Sequence, residues 1–272
     1  VGERGARISL RSIALFYLAA VLFVPVALVF YRAFEPGLAA FVDAVTAPDA
    51  VHAFKLTLIC TLVAVPLNTI FGIAAALYVV RGHGPGRRLL DAVIDLPFAV
   101  SPVVVGLALV LVWGENGWFG STLAEAGVQV IFSLPGMILA TTFVCLPFVA
   151  REVIPVLREI GDEQEQAART LGANGWQTLW RITVPSIRWA LGYGVVLTTA
   201  RAIGEFGAVA VVSGKIVGQT DTATLYVANQ FENFNLPAAY AVSVVLATAA
   251  LVVIVGMTTL QLRERPIDGD QR

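Results

Sequence analysis

Apolar residues in this chain come in long runs. They follow neither the spacing of a half-buried helix nor the alternation of a half-buried strand. A window of about 19 residues marks six such runs, near 12–31, 54–80, 92–113, 136–157, 190–212 and 237–261. Each is long enough to cross the roughly 30 Å hydrocarbon core of a bilayer as a helix, so the pattern predicts about six membrane spans. Pro25, Pro66, Pro97, Pro102 and Pro147 fall inside them. Proline removes a backbone donor, so kinked or broken spans are expected. The first run exceeds the roughly 7–15 residues of a cleavable signal core, and it reads as an uncleaved anchor.

Composition agrees with this picture. Of 272 residues, 57% are hydrophobic and 14% charged, against about 25% charged in soluble domains; the mean hydropathy is +0.79. A soluble enzyme cannot solvate such a surface, and a disordered chain would not carry it. The net charge of −1 supplies no field that would draw nucleic acid. Cys60 and Cys145 lie within apolar runs and read as small core residues rather than a disulfide or metal pair. His52 and His83 have no second ligand at metal spacing.

Charge placement says more than charge total. With the N-terminus in the cytoplasm, fourteen of the 18 Lys and Arg residues fall in inside segments, among them Arg4, Arg81, Arg151, Arg158 and Arg263. Only Arg32, Lys55 and Lys215 fall outside, and Arg201 lies within a span. This positive-inside bias places both termini in the cytoplasm of a multi-pass protein. The outer segment 114–135 has no Lys or Arg, and Trp113, Trp118 and Phe119 at and beside it suit an interfacial belt. The outer segment 213–236 is expected to hold a short helix around Leu225–Phe231.

The inside loop from Arg158 to Arg188 is written as structure. Asp162, Glu163 and Glu165 crowd a helix start, where negative charge complements the dipole. Gly172 reads as that helix's C-terminal stop. Asn174 and Gln177 have capping-box spacing for a second helix carrying Trp176, Leu179 and Trp180, which Pro185 is expected to end. Such a hairpin reads either as a docking surface for another protein or as a loop folded on its own membrane domain or on lipid.

Gln166-Ala167-Ala168, then Gly172, then Ile182-Thr183-Val184-Pro185 resembles the EAA motif of ABC-transporter permeases, with matching spacing. Gln166 stands for the motif's Glu, with Glu165 adjacent, and Val184 stands for Leu; either Glu165 or Gln166 makes the motif's polar contact. The stretch Ile94–Gly106 resembles the third span of sulfate-type permeases. Arg188–Leu191, Tyr193–Thr198, Ala200–Val209 with its core Arg201-Ala202-Ile203-Gly204-Glu205-Phe206-Gly207, and Val211–Gly214 together resemble CysW-type permeases of sulfate/thiosulfate importers. Molybdate-type and CysT-type permeases share that core.

The resemblance implies an all-α, polytopic, type I ABC importer permease fold. It implies a tail, anchor and outer loop over 1–53, a permease core over 54–262 with the coupling loop 158–188, and a cytoplasmic tail over 263–272. It further implies residence in a bacterial cytoplasmic membrane among lipid, and transport of sulfate or thiosulfate, with molybdate or tungstate as the alternative. The implied partners are ABC ATPase subunits, a second, CysT-like permease and an extracytoplasmic sulfate-binding protein. The sequence has no Walker A pattern, nucleophile elbow or Cys/His cluster. The resemblance therefore implies a non-catalytic subunit without a cofactor, ATP being hydrolysed on a partner chain. An intramembrane enzyme or an autonomous carrier would need convergent catalytic groups, or would leave the hairpin without use.

Three further candidates concern the translocation pathway. Arg201 and Glu205 lie four apart, on one face of a helix. They read either as pathway-lining groups or as an internal ion pair or contact to a sister subunit. Ser101, before Pro102, reads either as a broken-helix end that favours anions or as a mere kink. Asp95 reads as a structural charge near a span end, and Gly192, Gly194, Gly204 and Gly207 as sites of close helix packing.

Overall fold

A computed structural model describes residues 3–263, with side chains described from 11 to 256. The implied tail over 263–272 lies outside the described residues save for its first residue. Among the described residues the structure is helical and contains no strand. In order, the elements are α1 Glu3–Phe34, α2 Leu38–Thr46, α3 Pro48–Arg81, α4 Gly86–Ile94, α5 Leu96–Ala99, α6 Pro102–Trp113, α7 Gly120–Glu125 and α8 Leu134–Ile160. Then follow α9 Glu163–Thr170, α10 Gly175–Thr178, a π turn at Leu179–Thr183 and α11 Val184–Ser186. The last are α12 Arg188–Ile203, α13 Gly207–Val212, α14 Ala223–Glu232 and α15 Leu236–Arg263.

Among the described residues four helices are long and apolar enough to cross a membrane: α1, α3, α8 and α15. A fifth crossing is a broken one, Gly86–Ala99 followed by Pro102–Trp113, bent by 113°. Proline disfavours the helical region for the residue before it, and Ser101 takes φ −58° and ψ 136°. Pro25, Pro66 and Pro147 instead sit inside continuous helices. The run 190–212 is also divided. Helix α12 has 16 residues and α13 has 6, with Gly204–Phe206 between them. Hydropathy reads this run as one span because it weighs composition, whereas the break is set by Glu205, described below. The outer helix expected near Leu225–Phe231 is α14.

The core is built where α3, α8 and α12 approach closely. A Cβ on Gly72 would lie 2.6 Å from Val149 Cβ, and one on Gly194 would lie 2.9 Å from Val149 Cα. Around this point Ala75, Ala76, Val79, Ala150, Val153 and Ile187 are buried. A second cluster joins α3, α6, α8 and α13 through Cys60, Val105, Met137, Val144 and Val209. Both cysteines are free and buried, as core residues should be. Helix α1, by contrast, buries none of its most apolar window, and the side chains of that window face outward as lipid-facing ones do.

The bundle has two distinct ends. One gathers charge: Arg151 donates to Asp95 and to Asp91, each at 2.7 Å, and also to the Asp91 carbonyl. The hairpin between α8 and α12 sits at this end. The opposite end carries α2, α7 and the segment before α14, which is tied down by the Ala223 N–H donating to Thr57 Oγ1 at 2.9 Å. Trp113 and Phe119 pack there at 5.2 Å between ring centres.

Candidate functional site

The hairpin forms by local rules. After α9 the chain turns at Gly172, whose φ of +86° is cheap only for glycine. The Gly172 N–H donates to the Arg169 carbonyl and the Ala173 N–H to the Ala168 carbonyl, both at 3.0 Å, a Schellman closure. Asn174 then opens α10 with a reciprocal capping box. The Gln177 N–H donates to Asn174 Oδ1 at 2.8 Å, and the Asn174 N–H to Gln177 Oε1 at 3.0 Å. Pro185 does not end the second helix as expected. The π turn over Leu179–Thr183 widens the hydrogen-bonding pattern just before the proline, which absorbs the missing donor. The chain runs on through α11, and the Ile187 N–H still donates to the Thr183 carbonyl at 3.1 Å.

The hairpin turns three large apolar side chains outward among its exposed polar ones and buries three polar side chains. Glu165, Thr178 and Thr183 are buried, whereas Leu171, Trp176 and Trp180 are 89%, 68% and 53% exposed. The two indoles meet edge to face at 5.5 Å and present one apolar surface outward. Of the motif residues, Gln166, Ala167, Gly172 and Pro185 are exposed, while Ala168 and Ile182 are half-buried. Of the adjacent Glu165 and Gln166, Glu165 is the one that turns inward. Glu165 Oε1 accepts from Thr183 Oγ1 at 3.0 Å and Oε2 from Arg81 Nε at 3.2 Å. Gln166 faces outward. Arg81 and Thr183 carried no site signal in the sequence beyond an arginine at a span end, because their partner is far along the chain.

The second cluster lies within the bundle. Arg201 Nη1 lies 2.5 Å from Glu205 Oε2, an ion pair without hydrogen-bond alignment. The side chains are 32% and 1% exposed respectively. Glu205 Oε1 accepts the Ala208 N–H at 2.9 Å, satisfying an orphan donor of the restarting helix. The Glu205 carbonyl accepts Thr224 Oγ1 at 2.6 Å, which ties the break to α14. Ser101 is exposed at the start of α6 and makes no cap bond. The starts of α6 and α13 abut, since a Cβ on Gly207 would lie 2.9 Å from Pro102 Cβ; Gly204, by contrast, has no neighbour nearer than 3.6 Å. No group of three or more His, Cys, Asp or Glu is placed to hold a metal among the described residues.

A bundle of apolar helices with a broken span, a buried charge pair and an outward-facing apolar patch defines a class: an all-α, multi-pass membrane protein. Residues 68–265 match the family described as binding-protein-dependent transport system inner membrane component. The chain is 54% identical to the sulfate transport system permease protein CysW of Synechocystis sp., covering 93% of this chain and 91% of that protein. It is 49% identical to the protein of the same name from Synechococcus elongatus, over 94% and 90%. Its fold is that of a chain in the crystal structure of a bacterial alginate ABC transporter bound to its periplasmic protein, at TM-score 0.75, 17% identity and 96% coverage of both. The chain belongs to the family of binding-protein-dependent transport system inner membrane components.

Proposed function

We propose that this chain is the CysW-type permease subunit of an ATP-driven importer of sulfate and thiosulfate. The observation that carries the coupling role is the hairpin's exposed apolar patch, with Leu171, Trp176 and Trp180 outward and Glu165 inward. Exposed aromatic surface of this kind fits a groove on a partner protein. That partner is an ABC ATPase, which hydrolyses ATP on its own chain. The substrate class follows from the similarity to the two sulfate permeases.

In this reading the arginine-rich hairpin end faces the cytoplasm by the positive-inside bias, and both termini lie on that side. The opposite end receives an anion-loaded extracytoplasmic binding protein. A second, CysT-like permease completes the pore. The permease core is the stretch 54–262, preceded by the anchor segment 1–53 and followed by the tail 263–272. Closure of the ATPase pair pushes on Glu165, Gln166, Ala167, Ala168, Gly172, Ile182 and Pro185 through the hairpin surface, which tilts α8 and α12. Arg201, one-third exposed, faces the anion with part of its guanidinium. Glu205 holds Arg201 and the start of α13 in place as a gate, beside Ser101 at the start of α6.

The test is labelled-sulfate uptake in cells deleted for this chain and then complemented, with molybdate as the control anion. Restored sulfate uptake with unchanged molybdate uptake supports the assignment. Restored molybdate uptake alone moves the chain to the molybdate type, and no restored uptake contradicts an importer role.

A further inference from the structure

The hairpin is covalently joined to α8 on one side and to α12 on the other, so any motion imposed on it reaches those two helices through the main chain. Helix α3 has no such link, yet it packs along both and ends at Arg81 beside the hairpin. Arg81 spends all of its guanidinium there. Nε donates to Glu165 Oε2 at 3.2 Å, Nη1 to the Leu157 carbonyl at 3.2 Å and Nη2 to the Gly161 carbonyl. Leu157 lies in the last turn of α8, where carbonyls lack partners within the helix. A cation is favoured there by the helix dipole. The three acceptors lie before, at and after the joint between α8 and α9.

That joint is Gly161, with φ +71° and ψ −170°, a region open essentially only to glycine. A Cβ there would meet nothing within 4 Å, so the glycine serves conformation rather than packing. Glu165 carries the connection onward, because its other oxygen holds Thr183 in the π turn. One guanidinium therefore ties the end of α3, the end of α8 and both arms of the hairpin. A planar fork with spread, fixed donors suits acceptors so far apart better than the compact ammonium of a lysine.

We infer that Arg81 is a positioning residue for transport: a clasp across the Gly161 joint that delivers hairpin motion to α3. The inference rests on the coupling role proposed above. Rotation of α9 about Gly161 either breaks the Arg81–Glu165 contact or draws α3 with it. With the clasp intact, three spans move as one body; without it, two move and α3 stays behind.

The test uses the full transporter in lipid vesicles, both permeases and the ATPase together, with Arg81→Gln, Arg81→Lys and Glu165→Gln. Three quantities are read: ATPase retained on the membrane complex, basal ATP hydrolysis, and sulfate taken up per ATP hydrolysed. In Arg81→Gln, ATPase retention and basal hydrolysis stay within about twofold of wild type, while uptake per ATP falls about tenfold. Arg81→Lys keeps the charge but not the fork, and falls less. Glu165→Gln keeps an acceptor for one of its two donors, and lies between the two. A wild-type ratio in Arg81→Gln overturns the clasp. Loss of ATPase retention together with uptake also overturns it, since Arg81 would then only build the hairpin. The coupling role itself fails by a different result: a Trp176→Ala, Trp180→Ala double variant that holds the ATPase as wild type does.

Discussion

Glu205 and Asp221 are both buried carboxylates, and their surroundings treat them differently. Glu205 has a cation at 2.5 Å and a backbone donor at 2.9 Å. Removing only the cation leaves a buried, uncompensated charge, which costs about 3–5 kcal/mol. Arg201→Met is therefore expected to lower the thermal midpoint of the detergent-purified protein far more than Glu205→Gln, which leaves a partly exposed arginine. Equal losses in the two variants would contradict a structural pair.

Asp221 is 2% exposed, and neither carboxylate oxygen has a hydrogen-bond partner. Burial pushes its pKa from 3.8 up to about 6, with Lys215 opposing, Asp49 adding, and the Asn229 amide opposing without an aligned hydrogen bond. The folded pKa is raised, so below about pH 4 folded and unfolded chains are both protonated and burial of the charge costs nothing. The cost grows as pH rises and is complete above about pH 6. Asp221→Asn is expected to raise the midpoint at pH 8 and leave it near wild type at pH 4, as scanning calorimetry or dye-monitored melting would record. None of this was legible in the sequence, where Asp221 was one polar residue in an outer segment. Its burial comes from the packing of α14 against α3.

At the scale of elements, the turn and the cap within the hairpin were readable in advance. The stop at Gly172 and the capping box at Asn174 and Gln177 need only residues within one turn, and both form as their spacing predicts. Glu165 read as a helix-start charge because its partner, Arg81, lies 84 positions away. Pro185 read as a stop because a proline's effect was judged without the π turn that precedes it. The division of 190–212 escaped hydropathy because Gly204 and Glu205 barely alter the average.

The hairpin turn itself offers a clean perturbation. Placing a side chain at φ +86° costs about 1–2 kcal/mol, and nothing crowds Gly172 within 4 Å, so the strain falls on the turn alone. Gly172→Leu is expected to keep the protein in the membrane, with ATP hydrolysis continuing while sulfate uptake falls. Paired uptake and phosphate-release assays on the same vesicles measure this, and unchanged uptake per ATP would contradict a coupling role for the turn.

For the whole molecule, the features join into one mechanical arrangement. The packing of α3, α8 and α12 around Val149 leaves no room at Gly72 or Gly194 for even a methyl group, so these helices are packed with no slack between them. The hairpin stands at one end of that body. At its other end, the segment before α14 is held by Thr57, and the Arg201–Glu205 break lies between. Apolar runs made the membrane class plain, and the motif spacing marked the hairpin between α8 and α12. Which spans pack together depends on contacts between distant segments, and so emerged only from the fold.

The most direct test is ATP-driven sulfate uptake by vesicles containing the complete transporter, comparing wild type with the Trp176→Ala, Trp180→Ala double variant. Loss of the exposed indole pair is expected to lower both membrane-retained ATPase and uptake by about tenfold, while the permease itself remains folded and inserted. Wild-type uptake in that variant, or sulfate uptake by this chain with no ATPase present, would contradict the account.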